Sequence, residues 1–537
     1  MSRRNFLLQL AAGGVVLLTG AGCGVRRGAG NIPGTIVGAN SKTGHLLRNG
    51  GPYPEPHHTV EVNVLIVGGG ISGLSAKRWL QQEGVKDVLL LEMDDHFGGN
   101  ATYGQNPVSK YPWGAHYIPV PDLRNREILD FLHQIGTITG FDTAGLPIYN
   151  EYHLCHDPEE RLFIDGIWQD GIVPENGVPA ADKEQFRRFS AEVAAFKAAV
   201  GSDGRDAFAI PVDTSSADAV YRDLDRISFR QYLTQKGYTS RYLLWYLEYG
   251  CKDDFGTNLD GTSAWAGIHY FACRKGRGVN ANSSSVLTWP EGNGFLMEHL
   301  KSQCVANEIK LRQLVYRIEP VDGGGMNAYV ADMVTGKGFI VHAQKLLLAT
   351  PQMVNKHLLK GYGERTAACA AFAYAPWLIA NITVNGFEKQ HGMPLCWDNV
   401  FYGKPSVGYV NANHQDLGRV SKNVLTFYKS YTDHDPATER NRLYAKTRSE
   451  LLDEILDELD FVHPGITAQI EHADLWLWGH GMVAPKVGFM WGADRTAAAQ
   501  PIDNRVFFGH SDLSGISIFE EAFYRGIHAA QQIVTAS

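Results

Sequence analysis

One stretch near residue 60 limits what this chain can fold into more than any other. It begins with an apolar run from Val62 to Val67, which is typical of a buried β-strand. Three glycines follow, Gly68, Gly70 and Gly73, and a helical pattern comes next. The first glycine permits a tight turn, the second lets backbone approach a pyrophosphate, and the third lets the helix pack on the strand. The stretch predicts the first unit of a dinucleotide-binding Rossmann domain.

A second apolar run ends in Glu92, 19 residues after Gly73. An acidic residue at this distance is expected to hold the ribose hydroxyls of the dinucleotide. The N-terminus of the intervening helix, at Ile71 and Ser72, offers free N–H groups to the phosphates. Because strand, glycines, helix and acidic residue occur in the required order, the signal is far more specific than a glycine motif alone.

The glycine pair Gly98–Gly99 favours FAD over NAD as the dinucleotide. The stretch Val64–Thr102 resembles the FAD fingerprint of the flavin-containing amine oxidase superfamily, in which a glycine pair follows the ribose-binding Glu. The segment Tyr111–His116 resembles the family's stretch beside the flavin ring, with Pro112 or Trp113 where the family has Asp. The resemblance implies that FAD also contacts Asn100, Ala101, Thr102, Trp113, Gly114, Ala115 and His116.

Two later parts of the chain resemble the same family in the same order. The stretch Leu287–Leu296 resembles the return to the FAD domain, and the resemblance places Val315 at the adenine and Thr350 in the family's "A-x-P" strand end. Near the C-terminus, Glu520–Ala530 resembles the family's last helix, with Glu521 and Arg525 in place of Gly and Ser. This implies that Asp512 binds the ribityl or pyrophosphate region and that Ile518, at the helix N-terminus, lies near the flavin ring.

These stretches predict an α/β fold, with a Rossmann-type FAD-binding domain of the glutathione-reductase-like, amine oxidase type interleaved with an α+β substrate domain. The predicted FAD-binding domain comprises residues 59–121, 290–355 and 495–537, and the predicted substrate domain comprises residues 122–289 and 356–494. Residues 24–58 are rich in Gly and Pro, which predicts a linker or extended arm.

The first 23 residues have the pattern of an export signal. Ser2–Leu7 matches the twin-arginine motif, and the apolar run Leu7–Leu18 is too short to span a membrane. We therefore expect export to the periplasm. Gly20–Cys23 resembles a lipobox, with Gly20 at the usual apolar position, so both a lipid anchor at Cys23 and a soluble product remain open.

Charge and cysteine content exclude several other functions. The formal net charge of −8 argues against nucleic-acid binding. The seven cysteines form no CxxC or CxxCH pattern, so neither a zinc site nor a covalently attached c-type haem is indicated, and we predict no metal site.

Gly44–Arg48 and Asp94–Gly99 are similar to segments of bacterial spermidine dehydrogenases, the nearest subfamily by this resemblance. The resemblance implies an FAD-dependent oxidoreductase of the amine oxidase or dehydrogenase type. It would oxidise the C–N bond of a small amine, with polyamines among the candidates, by hydride transfer to flavin N5. The electron acceptor stays open between oxygen, a quinone and a redox protein.

The candidate catalytic residues are His116, Trp478 and His480. His116 belongs to the segment expected beside the flavin, while the other two belong to an aromatic stretch that could form a pocket wall. A catalytic lysine cannot be assigned; Lys404 and Lys486 are the candidates. The compact motifs Tyr249–Gly256 and Ser263–Gly267 could line a pocket or pack a loop, and we favour packing.

Two other functions are compatible with the same motifs. The first is an FAD-dependent desaturase or isomerase that acts on an apolar substrate. The second is a flavin-loaded lipoprotein without catalytic activity that carries electrons for a partner.

Overall fold

The computed structural model describes residues 28–359, 361–386, 391–416, 418 and 421–536. The predicted signal at residues 1–23, with its lipobox, lies outside the described residues. The strands are β1 Ile36–Gly38, β2 Pro56–Val67, β3 Val88–Leu91, β4 Tyr103–Gln105, β5 Lys110–Pro112, β6 Tyr117–Pro119, β7 Ile138–Phe141, β8 Pro147–Tyr149, β9 Glu160–Ile164, β10 Ile167–Asp170, β11 Val286–Thr288, β12 Ile309–Lys310, β13 Gln313–Pro320, β14 Met326–Asp332, β15 Gly338–Leu348, β16 Tyr374–Val384, β17 Asp398–Phe401, β18 Gly408–Asn411, β19 Asn423–Ser430, β20 Ile470–Val483 and β21 Val506–Phe508. The α-helices are α1 Ser41–Asn49, α2 Ile71–Gln82, α3 Arg126–Gln134, α4 Ala180–Ala198, α5 Ala219–Arg222, α6 Phe229–Gln235, α7 Arg241–Phe255, α8 Ala264–Ala272, α9 Gly294–Ser302, α10 Gln352–Leu358, α11 Gly363–Cys369, α12 Pro436–Ala445, α13 Arg448–Val462, α14 Ala493–Ala499 and α15 Phe519–Thr535.

The first large sheet is built around the glycine motif. Its strand order is β12-β3-β2-β15-β14-β13, and β21 pairs with β15. Strands β12, β3, β2, β15 and β21 pair in parallel in that order, while β14 pairs antiparallel with both β15 and β13. The parallel strands are buried over the runs Val64–Val67, Val88–Leu91 and Leu346–Leu348, as expected of strands covered on both faces.

The C-terminal helix α15 packs closely on α2, the helix of the glycine motif. A Cβ atom at Gly526 would lie 2.1 Å from the carbonyl oxygen of Ser72 and 2.4 Å from Oγ of Ser75. Oγ of Ser75 also donates to the carbonyl of Phe523 at 3.3 Å. A glycine at position 526 therefore lets the last helix of the chain lie against the first turn of the dinucleotide motif.

The second large sheet has the order β1-β20-β16-β19-β18-β17-β9-β10. Its centre is the antiparallel set β20, β16 and β19, and β16 is buried along its whole length. Residues of the predicted N-terminal arm contribute β1, which adds to this sheet parallel to β20. Helix α13 covers the sheet with an apolar face that includes Leu452, Ile455 and Leu459.

The two sheets draw on alternating parts of the chain, so the chain crosses between them several times. The predicted α/β class, with a Rossmann-type domain interleaved with a second domain, is confirmed by this arrangement. The exact domain boundaries stay a prediction. In the described ranges, no helix is both long and apolar enough to cross a membrane. The six described cysteines are free and buried.

Candidate active site

Sterics at the glycine motif agree with the roles predicted for its residues. Gly68 has a φ of +107°, and a Cβ there would lie 2.7 Å from the carbonyl oxygen of Ala349. A Cβ at Gly73 would lie 1.9 Å from the carbonyl oxygen of Gly68. A Cβ at Gly70, by contrast, would meet nothing within 4 Å. The turn and the helix packing thus require Gly68 and Gly73, while Gly70 faces open space where a phosphate group fits.

Glu92 lies at the carboxyl end of β3, beside this turn. Its carboxylate accepts hydrogen bonds from the backbone N–H of Gly69 at 2.6 Å and of Asp94 at 2.7 Å. Burial raises the pKa of Glu92, and the two N–H groups oppose that rise. The backbone N–H of Gln313 donates to the Glu92 carbonyl at 2.8 Å, which brings the start of β13, and hence Val315, next to the predicted ribose site.

Backbone contacts hold the glycine pair Gly98–Gly99 next to the glycine motif at residues 68–73. The N–H of Gly98 donates to the carbonyl of Gly69 at 2.9 Å, and Gly98 and Gly99 have φ angles of +114° and +55°. Next along the chain, the carbonyl of Asn100 accepts from the N–H of Ala115 at 2.8 Å. A Cβ at Gly114 would lie 2.3 Å from that carbonyl oxygen. The two predicted flavin segments, at residues 98–102 and 113–116, therefore lie against each other.

Asp512 is completely buried at the end of the same sheet. Its carboxylate accepts from the N–H of Gln352 at 2.7 Å and from the hydroxyl of Tyr374 at 2.6 Å, and it lies 3.0 Å from Nδ1 of His510. Burial raises the pKa of Asp512, but the nearby His510 and these hydrogen bonds outweigh it and leave the pKa below its usual value. Thr350 donates its hydroxyl hydrogen to Asn355.

The residues present fit FAD. Open space at Gly70, the N-terminus of α2, the carboxylate of Glu92 and the glycine pair form one continuous cradle of the kind that a dinucleotide fills. The remaining predicted contacts, which are Ile71, Ser72, Ala101 and Thr102, belong to the segments that form this cradle.

A cavity with about 940 Å³ of empty space, counting its open mouth, lies between the predicted flavin segments and the second sheet. Several predicted cofactor residues form one part of its wall: Asn100, Gly114, Ala115, His116 and Ile518. Aromatic side chains from the second sheet form another part: Trp377, Tyr428 and Trp478.

Hydrogen bonds hold the aromatic wall against the predicted flavin segments. Nε1 of Trp478 donates to the carbonyl of Trp113 at 2.6 Å, and the hydroxyl of Tyr428 donates to the carbonyl of Gly114 at 2.9 Å. The side-chain amide of Asn100 donates to the carbonyl of Gly481 on β20. Trp113 is buried beneath this wall, with its ring 5.2 Å from that of Trp476.

His116 lies in the cavity wall, but burial lowers its pKa to about 4. It is therefore a neutral imidazole near pH 7. His480 does not contribute to the cavity; its ring lies edge-on to Tyr374 at 5.7 Å. On β20 the cavity is lined by Trp478, Gly481 and Met482. The pairing of β20 with β16 shifts register between Trp478 and Met482, so regular alternation does not hold there, and His480 lies beside Tyr374 instead.

No lysine lines the cavity in the described part of the chain. The ammonium of Lys404 lies 3.5 Å from the ring centre of Phe461, and Lys486 is exposed.

Sequence reasoning missed the charged residues of the cavity: Asp253, Asp254, Arg274 and Glu520. The two aspartates belong to the motif Tyr249–Gly256, for which we favoured packing. Their signal was a pair of adjacent acidic residues directly before Phe255 and Gly256, at the end of a helix. The other unassigned motif does pack: Trp265 is fully buried, and a Cβ at Gly267 would lie 2.3 Å from the ring of Phe229.

Comparison with known proteins supports this description. Residues 66–135 match the family model of the NAD(P)-binding Rossmann-like domain. Oxidoreductase PigB of Serratia sp. (strain ATCC 39006) is 24% identical, over 88% of this chain and 75% of the relative. Polyamine oxidase 7 of Oryza sativa subsp. japonica is 53% identical over 112 residues, which are 19% of this chain and 23% of the relative.

Solved structures of amine oxidases share the fold. A triple mutant of putrescine oxidase superposes with a TM-score of 0.65 at 14% identity, over 89% of this chain and 100% of the other. Cyclohexylamine oxidase from Brevibacterium oxydans IH-35A superposes with a TM-score of 0.64 at 14% identity, over 89% and 99%. The predicted resemblance is thus confirmed: this chain has the fold of the flavin-containing amine oxidases, and its relatives include oxidoreductases.

Proposed function

We propose that this chain is an exported FAD-dependent oxidoreductase that oxidises the C–N bond of an amine. The observation that carries the proposal is the cavity in which aromatic side chains are hydrogen-bonded to the segments predicted to contact the flavin. Bound FAD would supply the acceptor for a hydride from the carbon next to nitrogen, and the neutral amine would become an iminium ion, which releases a proton to give the imine.

The residues of the chain supply position and environment for this reaction. Trp478 and Tyr428 are fixed by their hydrogen bonds, so they present constant surfaces to a substrate. An apolar, aromatic wall disfavours the ammonium form of a bound amine and so promotes the neutral form that reacts. Aromatic faces also attract the cationic form during entry. Neutral His116 adds a polar group without a positive charge that would repel the substrate.

Export is supported by the sequence pattern at residues 2–18, which lies outside the described residues. Folded export suits a protein that binds its cofactor before it crosses the membrane. A lipid anchor at Cys23 and a soluble periplasmic form are both consistent with this proposal.

An apolar substrate, as in the desaturase or isomerase alternative, is less compatible with the cavity. Asp253, Asp254 and Glu520 all line it, and an apolar ligand would bring no hydrogen-bond donor to these buried carboxyl groups.

The test is the visible spectrum of the purified protein, recorded before and after anaerobic addition of a series of amines. Flavin bands that bleach with an amine support the proposal. Bleaching by an unsaturated lipid but by no amine, or by a redox partner alone, would instead establish one of the two alternatives. Absence of flavin after reconstitution with FAD would refute the assignment of the dinucleotide motif.

A further inference from the structure

Asp253 and Asp254 occupy an unfavourable place for acidic residues. They lie in the last turn of α7, which ends at Gly256 with a φ of +66°. The C-terminal end of a helix carries a partial negative charge, so it destabilises nearby carboxylates. Local structure does not account for two adjacent acids at this end, so the reason for them is expected in what their carboxyl groups face.

Both carboxyl groups face the cavity and have weak partners. The Asp253 carboxylate lies 3.4 Å from the hydroxyls of Tyr117 and Tyr270. The nearest cation to Asp254 is Arg274, whose guanidinium lies 3.6 Å away and donates at 2.9 Å to the hydroxyl of Tyr117 instead. Such contacts only partly replace the hydration that a carboxylate loses on burial.

Glu520 adds a third carboxyl group to the cavity from the first turn of α15. Its side chain is only 3% exposed, and its Oε1 atom has no hydrogen-bond partner among the described residues. Burial is the main cause that raises the pKa of Glu520, to about 8. Glu520 thus lines the cavity with a carboxyl group whose hydrogen-bonding capacity is incompletely used, and a ligand donor that reached this group would be stabilised.

The positive charges of the cavity do not balance these acids. Among the described lining residues, the cations or potential cations are Arg274, His116 and His269. Burial lowers the pKa of both histidines to about 4, so they are neutral near pH 7. One guanidinium therefore faces three carboxyl groups. Two further acids, Glu160 and Asp398, lie close by, since burial and then repulsion from nearby carboxylates that include Asp253 raise the pKa of each.

We propose that Asp253, Asp254 and Glu520 bind a second positively charged group of the substrate, so that the cavity selects diamines and polyamines over monoamines. The inference rests on the proposed function and extends it to a substrate class and to named specificity residues. Burial raises the pKa of Asp254 to about 7 and that of Glu520 to about 8, and an ammonium group bound beside them would lower both pKa values, so that the ionised carboxylates form charge-assisted hydrogen bonds to it. The aromatic wall of Trp377, Tyr428 and Trp478 would contact the methylene chain between the two nitrogens.

The test compares linear α,ω-diamines of three to eight carbons, and spermidine, with monoamines of equal length. Binding to the FAD-loaded protein, reduced beforehand so that no turnover occurs, is measured by calorimetry. Oxidation is measured separately under turnover conditions. We expect the best diamine to bind at least about tenfold more tightly than its matched monoamine, which corresponds to one charge-assisted hydrogen bond.

Two variants and a control locate the effect. D254N and E520Q should each weaken diamine binding about 10- to 100-fold while changing monoamine binding less than about twofold. E248Q is the matched control, because Glu248 belongs to the same helix α7 but pairs with Arg230 and Lys252 outside the cavity. It should leave both affinities unchanged. FAD content and melting temperature confirm that each variant is folded. The ratio of diamine to monoamine affinity in the wild-type protein tests the inference independently of any variant.

The outcomes separate this inference from the proposed function. Wild-type protein that binds and oxidises monoamines as well as diamines refutes the inference but not amine oxidation. Variants that lose affinity for diamines and monoamines equally, or for neither, also refute the inference. Protein that neither binds nor oxidises any amine refutes both.

Discussion

Glu520 makes the stability of this protein depend on pH in a way that can be measured without any substrate. Its pKa is raised from 4.5 to about 8, chiefly by burial, while Arg274 opposes the rise. Between these two values the folded protein keeps the proton of Glu520, whereas the unfolded chain has released it. The folded state binds more protons in this window, so the free energy of unfolding falls as pH rises from about 4.5 to about 8.

The size of the effect follows from the same two values. A difference between 4.5 and about 8 corresponds to at most about 5 kcal/mol of lost stability once the pH exceeds both. The variant E520Q keeps the shape of the side chain and cannot ionise. It should therefore match the wild type most closely near pH 5 and exceed it most at pH 9. Unfolding entropy for a chain of 537 residues is about 1 kcal/mol per kelvin, so the gain at pH 9 is about 2–5 °C in Tm.

Thermal unfolding at a fixed scan rate, from pH 5 to pH 9, measures this difference for wild type, E520Q and the control E248Q. The FAD content of each sample must be equal, since bound cofactor raises Tm by itself. E520Q curves that run parallel to the wild type at every pH would refute the assignment of a raised pKa to Glu520. A gain equally large in E248Q would show a general effect of net charge.

Three further predictions concern the dinucleotide cradle and the cavity. G70V should fold but bind no FAD, because its side chain enters the open space predicted to hold the pyrophosphate. G73A should instead lose soluble yield, because its Cβ would lie 1.9 Å from a carbonyl oxygen. FAD content and circular dichroism distinguish the two effects, and a G70V protein that still binds FAD would contradict the assignment of the dinucleotide site. G526A should destabilise the contact between α2 and α15, since its Cβ would lie 2.1 Å from the Ser72 carbonyl; a Tm equal to that of wild type would show that the helices can separate freely. H116N should keep the shape of the wild-type pH–rate profile from pH 5.5 to 9, because burial holds the pKa of His116 at about 4; loss of a limb in that range would show that His116 titrates there.

The dinucleotide cradle was predictable because backbone sterics define it. Gly68 and Gly73 are required by contacts within a few residues of themselves or with a neighbouring strand, and such requirements leave a fixed spacing in the sequence. Glu92 follows from the same spacing, since it ends the next strand. The N-terminal strand β1 was not predictable, because three partly exposed residues have no periodic pattern and pair with a strand more than 400 residues away.

The charged residues of the cavity wall were harder to predict from the sequence. Asp253 and Asp254 occur next to each other, so at least one would be expected on the solvent side of an ordinary helix. Only the assembled fold, in which Gly256 at the end of α7 lies against Trp377 and Ala375 of β16, turns both towards the cavity. His480 illustrates the opposite error: it belongs to the same aromatic stretch as Trp478, but the pairing of β20 with β16 shifts register between Trp478 and Met482, and such a shift is a property of the assembled sheet.

The dinucleotide cradle and the charged cavity wall differ in how their residues affect the stability of the fold. The glycines of the cradle satisfy local geometry, so the same residues serve folding and cofactor binding. Asp253, Asp254 and Glu520 oppose folding, because they are carboxyl groups at a helix C-terminus or in a buried wall with one guanidinium among them. Carboxyl groups buried at such a cost to stability are expected at functional sites. Substitutions at these three positions should therefore change which amine is accepted while leaving the FAD content intact, whereas substitutions in the cradle should remove the cofactor and every activity together.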